Sequence, residues 1–308
     1  MNPALTWDEL ANLYNKRTGG HARTRPMDAI FEWGKKQTDV LHYDDKEGTL
    51  HLKLTNQPKG NNLMAFNLNS IKRSEGVKAP RVMIYGPHGL GKTTFGAGAP
   101  DPIFIITEDG LGRLEVDHFP LATSYQDVLD AISSLYSEDH KFGTVVIDSL
   151  DWLDNLIWVD INAKHDAKEL AYGKGAVIAA DYWRNILDGL TALRDEKGMA
   201  IVLIAHCEIK RFDSPEVEPY ERYQPKLQAR SSALVQEWCD AVFFCNYRVV
   251  TKETEVGFNK EVRRGITTGE RLMYANEKPA YLAKNRYGLP DSMPLTWDAF
   301  ASAIAPAN

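Results

Sequence analysis

Five short apolar runs punctuate the chain: Arg81-Val82-Met83-Ile84-Tyr85, Ile103-Phe104-Ile105-Ile106-Thr107, Thr144-Val145-Val146-Ile147, Ala200-Ile201-Val202-Leu203-Ile204 and Ala241-Val242-Phe243-Phe244. Short runs without polar alternation suit strands buried on both faces. Between them, apolar residues recur at helical spacing. Val128, Leu129, Ile132 and Leu135 do so within residues 126–136, Trp152, Leu153, Leu156 and Ile157 just after the third run, and Tyr182, Trp183, Ile186, Leu187, Leu190 and Leu193 further on. Alternating strands and helices predict an α/β fold with a mostly parallel central sheet covered by helices. Ligands of such sheets bind beyond the carboxyl ends of the strands. The polar residues expected there are Glu108, Asp148 and His206, joined by Lys284 and Arg286 after a last predicted strand, Tyr281-Leu282-Ala283.

Upstream the pattern changes. Thr6 and Glu9 have capping-box spacing with Leu5 and Leu10 as a staple, which predicts a helix to about Tyr14. A basic, glycine-containing loop (16–25) and a helix from Met27 to Lys36 follow. Val40-Leu41-His42-Tyr43 and Thr49-Leu50-His51-Leu52 flank a polar turn and read as a β-hairpin. Residues 56–62 read as a linker, and Met64-Ala65-Phe66 is an apolar knob in a polar lead-in. The expected organisation is a small α/β appendage (1–60), a lead-in (61–80) and a core (81–308). Within the core, 164–176 and 207–230 read as polar loops and 246–275 as β-hairpins. Leu295-Thr296-Trp297-Asp298-Ala299-Phe300 begins a C-terminal helix.

Composition narrows the class. The 308 residues are 44% hydrophobic and 25% charged, as in an ordinary globular protein. No apolar run approaches the ~18 residues of a membrane span. Three cysteines, Cys207, Cys239 and Cys245, make neither a disulfide framework nor a zinc site, so a reducing cytoplasm is expected. The net charge of −6 excludes a globally basic nucleic-acid binder. Residues 1–80 carry 12 Lys+Arg against 9 Asp+Glu, a net of +3, which leaves −9 for the remainder. Any DNA contact must then come from local basic patches.

The most specific chemistry follows the first run. Gly86-Pro87-His88-Gly89-Leu90-Gly91-Lys92-Thr93 fits G-x-x-x-x-G-K-[ST], between a predicted strand and the helical turn Thr94-Phe95-Gly96-Ala97, which Gly98 and Pro100 keep short. Glycines let backbone N–H groups curl around phosphates at a helix N-terminus. Gly86 to Thr94 are thus the expected nucleotide cradle. Lys92 reaches the β- and γ-phosphates, and Thr93 holds Mg²⁺. Asp148, at the end of the run Thr144-Val145-Val146-Ile147, fits the carboxylate that positions that Mg²⁺. ATP and Mg²⁺ are the expected cofactors. Hydrolysis also needs a carboxylate to polarise water. In AAA+ proteins it directly follows the Mg²⁺-linked aspartate; Ser149 stands there, which sets the chain apart from that class. Glu108 is the available base, with Asp109 as a weaker neighbour.

With Glu108 at the end of the strand after the P-loop helix, Asp148-Ser149 closing the next, and His206 at the end of the fourth, the chain resembles the RecA superfamily. Lys284-Asn285-Arg286-Tyr287-Gly288 is similar to the Lys-Asn-Arg-Phe-Gly motif of the RadA branch. Residues 80–304 look like phage-encoded, RecA-core-only annealing ATPases of the Sak type. The resemblance implies a RecA-like P-loop NTPase fold and a catalytic set of Glu108, Lys92, His206, Lys284 and Arg286. The last two would act on a neighbour's ATP. It also implies a homo-oligomeric ring or filament on single-stranded DNA, inside a phage-infected or lysogenic bacterial cell, with a single-strand binding protein or replication proteins as further partners. The DNA loops would be 162–177, with Lys164, Lys168 and Lys174, and 207–230, with Lys210, Arg211, Arg222, Lys226 and Arg230. Cations for phosphates and aromatic faces for bases are what single strands need; acidic residues dilute the second loop, and a solvated loop is the competing reading. A hexameric helicase-like motor and an ATP-gated scaffold in DNA replication are the alternative functions.

Overall fold

The computed structural model of the protein describes residues 78–255 and 261–305, together with the strand segments 4–5, 40–44 and 49–53. The chain divides into two compact units, Met1–Glu75 and Gly76–Asn308. In the first, β1 (Ala4–Leu5), β2 (Val40–Asp44) and β3 (Thr49–Lys53) form an antiparallel sheet in the order β1-β3-β2. The expected hairpin is there, paired from Val40↔Lys53 to Asp44↔Thr49. The helices expected at 6–14 and 27–36, the basic loop 16–25, the linker 56–62 and the Met64–Phe66 knob lie outside the described residues.

The second unit is built on β4 (Arg81–Gly86), β5 (Pro102–Ile106), β6 (Asp117–His118), β7 (Thr144–Asp148), β8 (Ala200–Phe212), β9 (Tyr220–Pro225), β10 (Ala241–Glu255), β11 (Glu261–Tyr274), β12 (Lys284–Asn285) and β13 (Ser292–Pro294). The helices are α1 (Lys92–Ala97), α2 (Tyr125–Ser137), α3 (Leu150–Lys164), α4 (Lys174–Lys197), α5 (Ala229–Trp238) and α6 (Trp297–Ile304). The sheet runs β13-β11-β10-β4-β8-β7-β5-β6, with β12 on β10 and β9 on β8. From β10 to β6 every neighbouring pair is parallel. This is the α/β architecture expected: a mostly parallel sheet with helices on both faces.

Strand side chains alternate between the faces. Met83, Tyr85, Ile105, Val145, Ile147, Leu203 and Phe244 pack beneath α2, α3, α4 and α5. Val82, Ile84, Phe104, Ile106, Val146, Val202, Ile204 and Phe243 face α1 and α6. Buried on both sides, these strands could not carry a polar alternation. Trp183 is fully buried and donates Nε1–H to Asp154 Oδ1 at 2.8 Å, which ties α4 to α3. On the other face Phe95 of α1 meets Trp297 of α6, ring centroids 5.5 Å apart. Ser124 caps α2 reciprocally: its hydroxyl accepts from Asp127 N–H, and the Asp127 carboxylate accepts from Ser124 N–H.

Two expectations are corrected. Residues 207–230 are not an irregular loop: β8 continues past the sheet to Phe212 and pairs with β9 from Cys207↔Pro225 to Phe212↔Tyr220, and α5 begins at Ala229. Arg222 stacks on Phe212, 3.7 Å from the ring centre, so cation–aromatic packing replaces the alternation that would have flagged a hairpin. The last strand is not Tyr281-Leu282-Ala283. The strand there is Lys284–Asn285, antiparallel to β10 through Ala241↔Asn285 and Val242↔Lys284, and β13 follows it.

Candidate functional site

The strand-to-helix turn after β4 carries the P-loop. Gly86 is obligatory for space, since a Cβ there would lie 2.2 Å from the Cys245 carbonyl oxygen of β10. Gly91 has φ +101, a left-handed conformation that L side chains rarely adopt. The Lys92 ammonium is buried and donates to the Gly86 and Pro87 carbonyls at 2.9 and 2.7 Å, so it is held at the base of the loop. Leu90 anchors the loop in the core, while His88, Gly89 and Thr94 are exposed. Thr93 Oγ1 donates to Asp148 Oδ2 at 2.7 Å. A hydroxyl and a carboxylate that close are the hard oxygen donors that Mg²⁺ takes. Burial pushes the Asp148 carboxyl up and pulls the Lys92 ammonium down. A divalent cation and a polyanion would each favour the charged form, so Thr93, Asp148 and Lys92 fit Mg²⁺ and a phosphate chain. Among the described residues no three His, Cys, Asp or Glu side chains cluster as a metal site. Phosphate-bridged Mg²⁺ needs no such cage.

Strand register brings the remaining groups together. Ile106 pairs with Asp148, and Asp148 with Ile204. Two residues on, Glu108 and His206 stand on that same face, and His206 lies beside Gly86. These residues line one cleft of about 390 Å³ with the P-loop. Glu108 lines it and Asp109, exposed, does not. The His206 imidazole Nδ1 is 3.0 Å from Asp151 Oδ1 and 4.0 Å from Glu108 Oε1. Its hydrogen bond with Asp151 raises the His206 pKa above the ordinary 6.5. Burial pushes Asp151 up, but hydrogen bonds from the His206 ring and backbone N–H outweigh it and hold the carboxyl below its usual value. Asp151, in the first turn of α3, was missed by sequence reasoning. The Thr107 hydroxyl donates to the Ser149 carbonyl at 2.7 Å and accepts from its N–H at 2.9 Å, bracing the turn between Asp148 and Asp151.

The sheet separates two residues expected at this rim. β12 pairs with the start of β10, so Lys284 and Arg286 lie at the amino end of the parallel strands, away from the P-loop. Lys284 Nζ donates to the carbonyls of Gln236, Glu237 and Cys239 at 2.7–2.8 Å, capping α5. Arg286 Nη1 is 3.5 Å from Asp240, and its side chain is 55% exposed.

The expected DNA residues divide similarly. Lys164 pairs with Asp160, Lys210 with Glu208, Arg211 with Asp213 and Arg222 with Glu277. Lys168, Lys174, Lys226 and Arg230 are exposed and have no carboxylate within ion-pair distance among the described residues. Lys226 lines a second cleft of about 480 Å³ with His88, Trp152 and Tyr223. His206 borders both clefts. Arg271, from β11, lines the nucleotide cleft as well; it too was missed, because nothing in its local sequence points to a strand two places from β4.

No helix among the described residues is long and apolar enough to cross a membrane. No curated protein matches the chain. Among solved structures the chain is similar to one titled "Crystal structure of the RadB recombinase", with a TM-score of 0.36 and 19% identity, over 68% of this chain and 87% of that one. The family model described as "AAA domain" matches residues 78–287. The chain belongs to the AAA domain family of P-loop proteins.

Proposed function

We propose that the protein is a Mg²⁺-dependent ATPase of the recombinase type, assembling on single-stranded DNA and promoting annealing or strand exchange. The convergence of Lys92, the Thr93–Asp148 pair, Glu108 and His206 on one cleft carries the ATPase reading. The P-loop N–H groups and Lys92 would hold the triphosphate, and Thr93 and Asp148 would hold the metal. Bound Mg²⁺ supplies charge neutralisation for the phosphoryl group. Glu108 orients a water and takes its proton as the water oxygen bonds to the γ-phosphorus and the bond to the ADP oxygen breaks. His206, held by Asp151, sets its imidazole beside that carboxylate.

The second cleft supports the DNA reading. It offers Trp152 and Tyr223 as base-stacking faces and Lys226 for phosphate, and its wall is His206. A strand lying there would meet the residue that borders the nucleotide. Arg286, exposed at the opposite end of the sheet, supports a role in trans on a neighbouring subunit's nucleotide, whereas the ammonium of Lys284 is already engaged. The deciding measurement is ATP hydrolysis with and without single-stranded DNA at two salt concentrations. Strong, salt-sensitive stimulation is expected; a rate indifferent to DNA overturns the DNA-dependent reading in favour of an ATP-gated scaffold. Directional unwinding of duplexes would assign a helicase-like motor instead. Arg286→Ala should leave nucleotide binding intact and lower hydrolysis in the assembled state; wild-type hydrolysis there rules the trans role out.

A further inference from the structure

The geometry points to Arg271 as a phosphate-binding residue supplied in cis: a guanidinium from the β10–β11 hairpin that clamps the nucleotide's phosphate chain over Gly91. This inference rests on the P-loop reading and adds a residue to it. Three observations carry it. First, position: a methyl group on Gly91 would stand 2.9 Å from Arg271 Nη1 and 3.9 Å from Thr94 Oγ1, so the guanidinium lies against the last glycine of the loop, on the Thr94 side. It lines the same cleft as Lys92, Thr93, Glu108 and Asp148.

Second, aim. Arg271 pairs with Tyr247, and the next pair is Val249↔Thr267, so the ladder shifts register immediately beside it. The bulged strand carries Gly269 at φ +80. Bulges bend a strand and re-aim the side chains next to them. The backbone beyond the bulge is fixed, because Leu295 N–H donates to the Arg271 carbonyl at 3.1 Å and Leu272 and Met273 are buried. A site residue on a braced strand is held more accurately than one on a loop.

Third, availability. The adjacent acid, Glu270, is engaged by Arg248 at 3.1 Å. Among the described residues no carboxylate lies within ion-pair distance of Arg271. An unneutralised, planar five-donor group beside a phosphate cradle matches a phosphate bidentately. Because β11, β10 and β4 are consecutive in the sheet, one subunit supplies both this cation and the P-loop.

The test is titration of the full-length protein with ADP and with a non-hydrolysable ATP analogue plus Mg²⁺, comparing wild type, Arg271→Ala, Arg271→Lys and Lys92→Ala. Losing a charge-assisted, bidentate contact should raise the dissociation constant of Arg271→Ala by about tenfold or more, with the lysine variant between it and wild type. Hydrogen exchange gives a second readout: nucleotide should slow amide exchange over 268–273 in wild type and not in Arg271→Ala. Wild-type affinity and wild-type protection in Arg271→Ala, with Lys92→Ala defective, overturn the role of Arg271 alone. Absence of nucleotide binding by the wild type overturns the P-loop reading and this inference with it.

Discussion

At the amino end of the parallel strands, Arg81, Arg194 and Arg286 surround Asp240, and Lys284 is spent on three carbonyls at the end of α5. At the carboxyl end, Lys92 and Arg271 face a cleft containing Asp148 and Glu108, and neither cation has a carboxylate within ion-pair distance among the described residues. The side-chain types are alike; their compensation differs. Below the sheet, Arg81 and Arg194 share the Asp240 carboxylate and Lys284 is held by carbonyls, so the buried cations have partners within the protein, while Arg286 stays more than half exposed. Above it, cations retain donors for an incoming anion, at some cost to the fold: burial pulls Lys92 down and pushes Asp148 up, so neither charge is fully supported by its surroundings. Charge compensation, more than charge itself, separates the scaffold end from the working end.

That contrast can be broken one residue at a time. The largest effect is expected at the working end. Glu108→Gln should lower kcat by ~10²–10⁴ while leaving nucleotide affinity near wild type; an unchanged turnover would move the base to another group. Next comes the scaffold. Asp240→Ala leaves Arg81 and Arg194 without their shared partner, and unfolding titrations should show a loss of about 3–5 kcal/mol. Equal stability in that variant would mean that the amino end is not compensated as described. Lys284→Met removes the ammonium from three carbonyls and should cost about 1–3 kcal/mol in the same titration, with nucleotide affinity unaffected. If it instead abolished assembly-dependent hydrolysis at wild-type stability, Lys284 would belong with Arg286.

The smallest effect is in pH. The folded pKa of His206 lies above 6.5 and that of Asp151 below 3.8. The pair therefore stabilises the native state most between roughly those two values. Its His206 contribution is complete below 6.5 and is lost as pH rises through the raised folded pKa; its Asp151 contribution is lost as pH falls through the depressed one. His206→Asn should flatten the melting temperature against pH, closing on wild type at alkaline pH. A difference that persists undiminished there would mean that packing, not the ion pair, is what His206 contributes.

The P-loop and its flanks were legible because their constraints are local: a buried strand, glycines where the backbone needs positive φ or close approach, and a cation and hydroxyl at fixed spacing. Asp148, Glu108 and His206 were legible for a related reason. Each closes an apolar run, and parallel strands bring such ends to one rim. The β8–β9 hairpin was hidden because charged residues along it pack through their stems and across rings, so a strand reads as a polar loop.

By itself, then, the sequence determined the alternation of buried strands and helices, the phosphate cradle and the acids that face it, since each is written within a few residues of chain. Tertiary structure alone decided which end of the sheet each cation serves. Lys284 and Arg286 follow an apolar run, yet antiparallel pairing to β10 carries them to the amino end. Arg271 follows no motif, yet a bulge and two intervening ladders deliver it to Gly91. Strand order and direction are set by contacts between residues far apart in the chain, and local spacing holds no record of them.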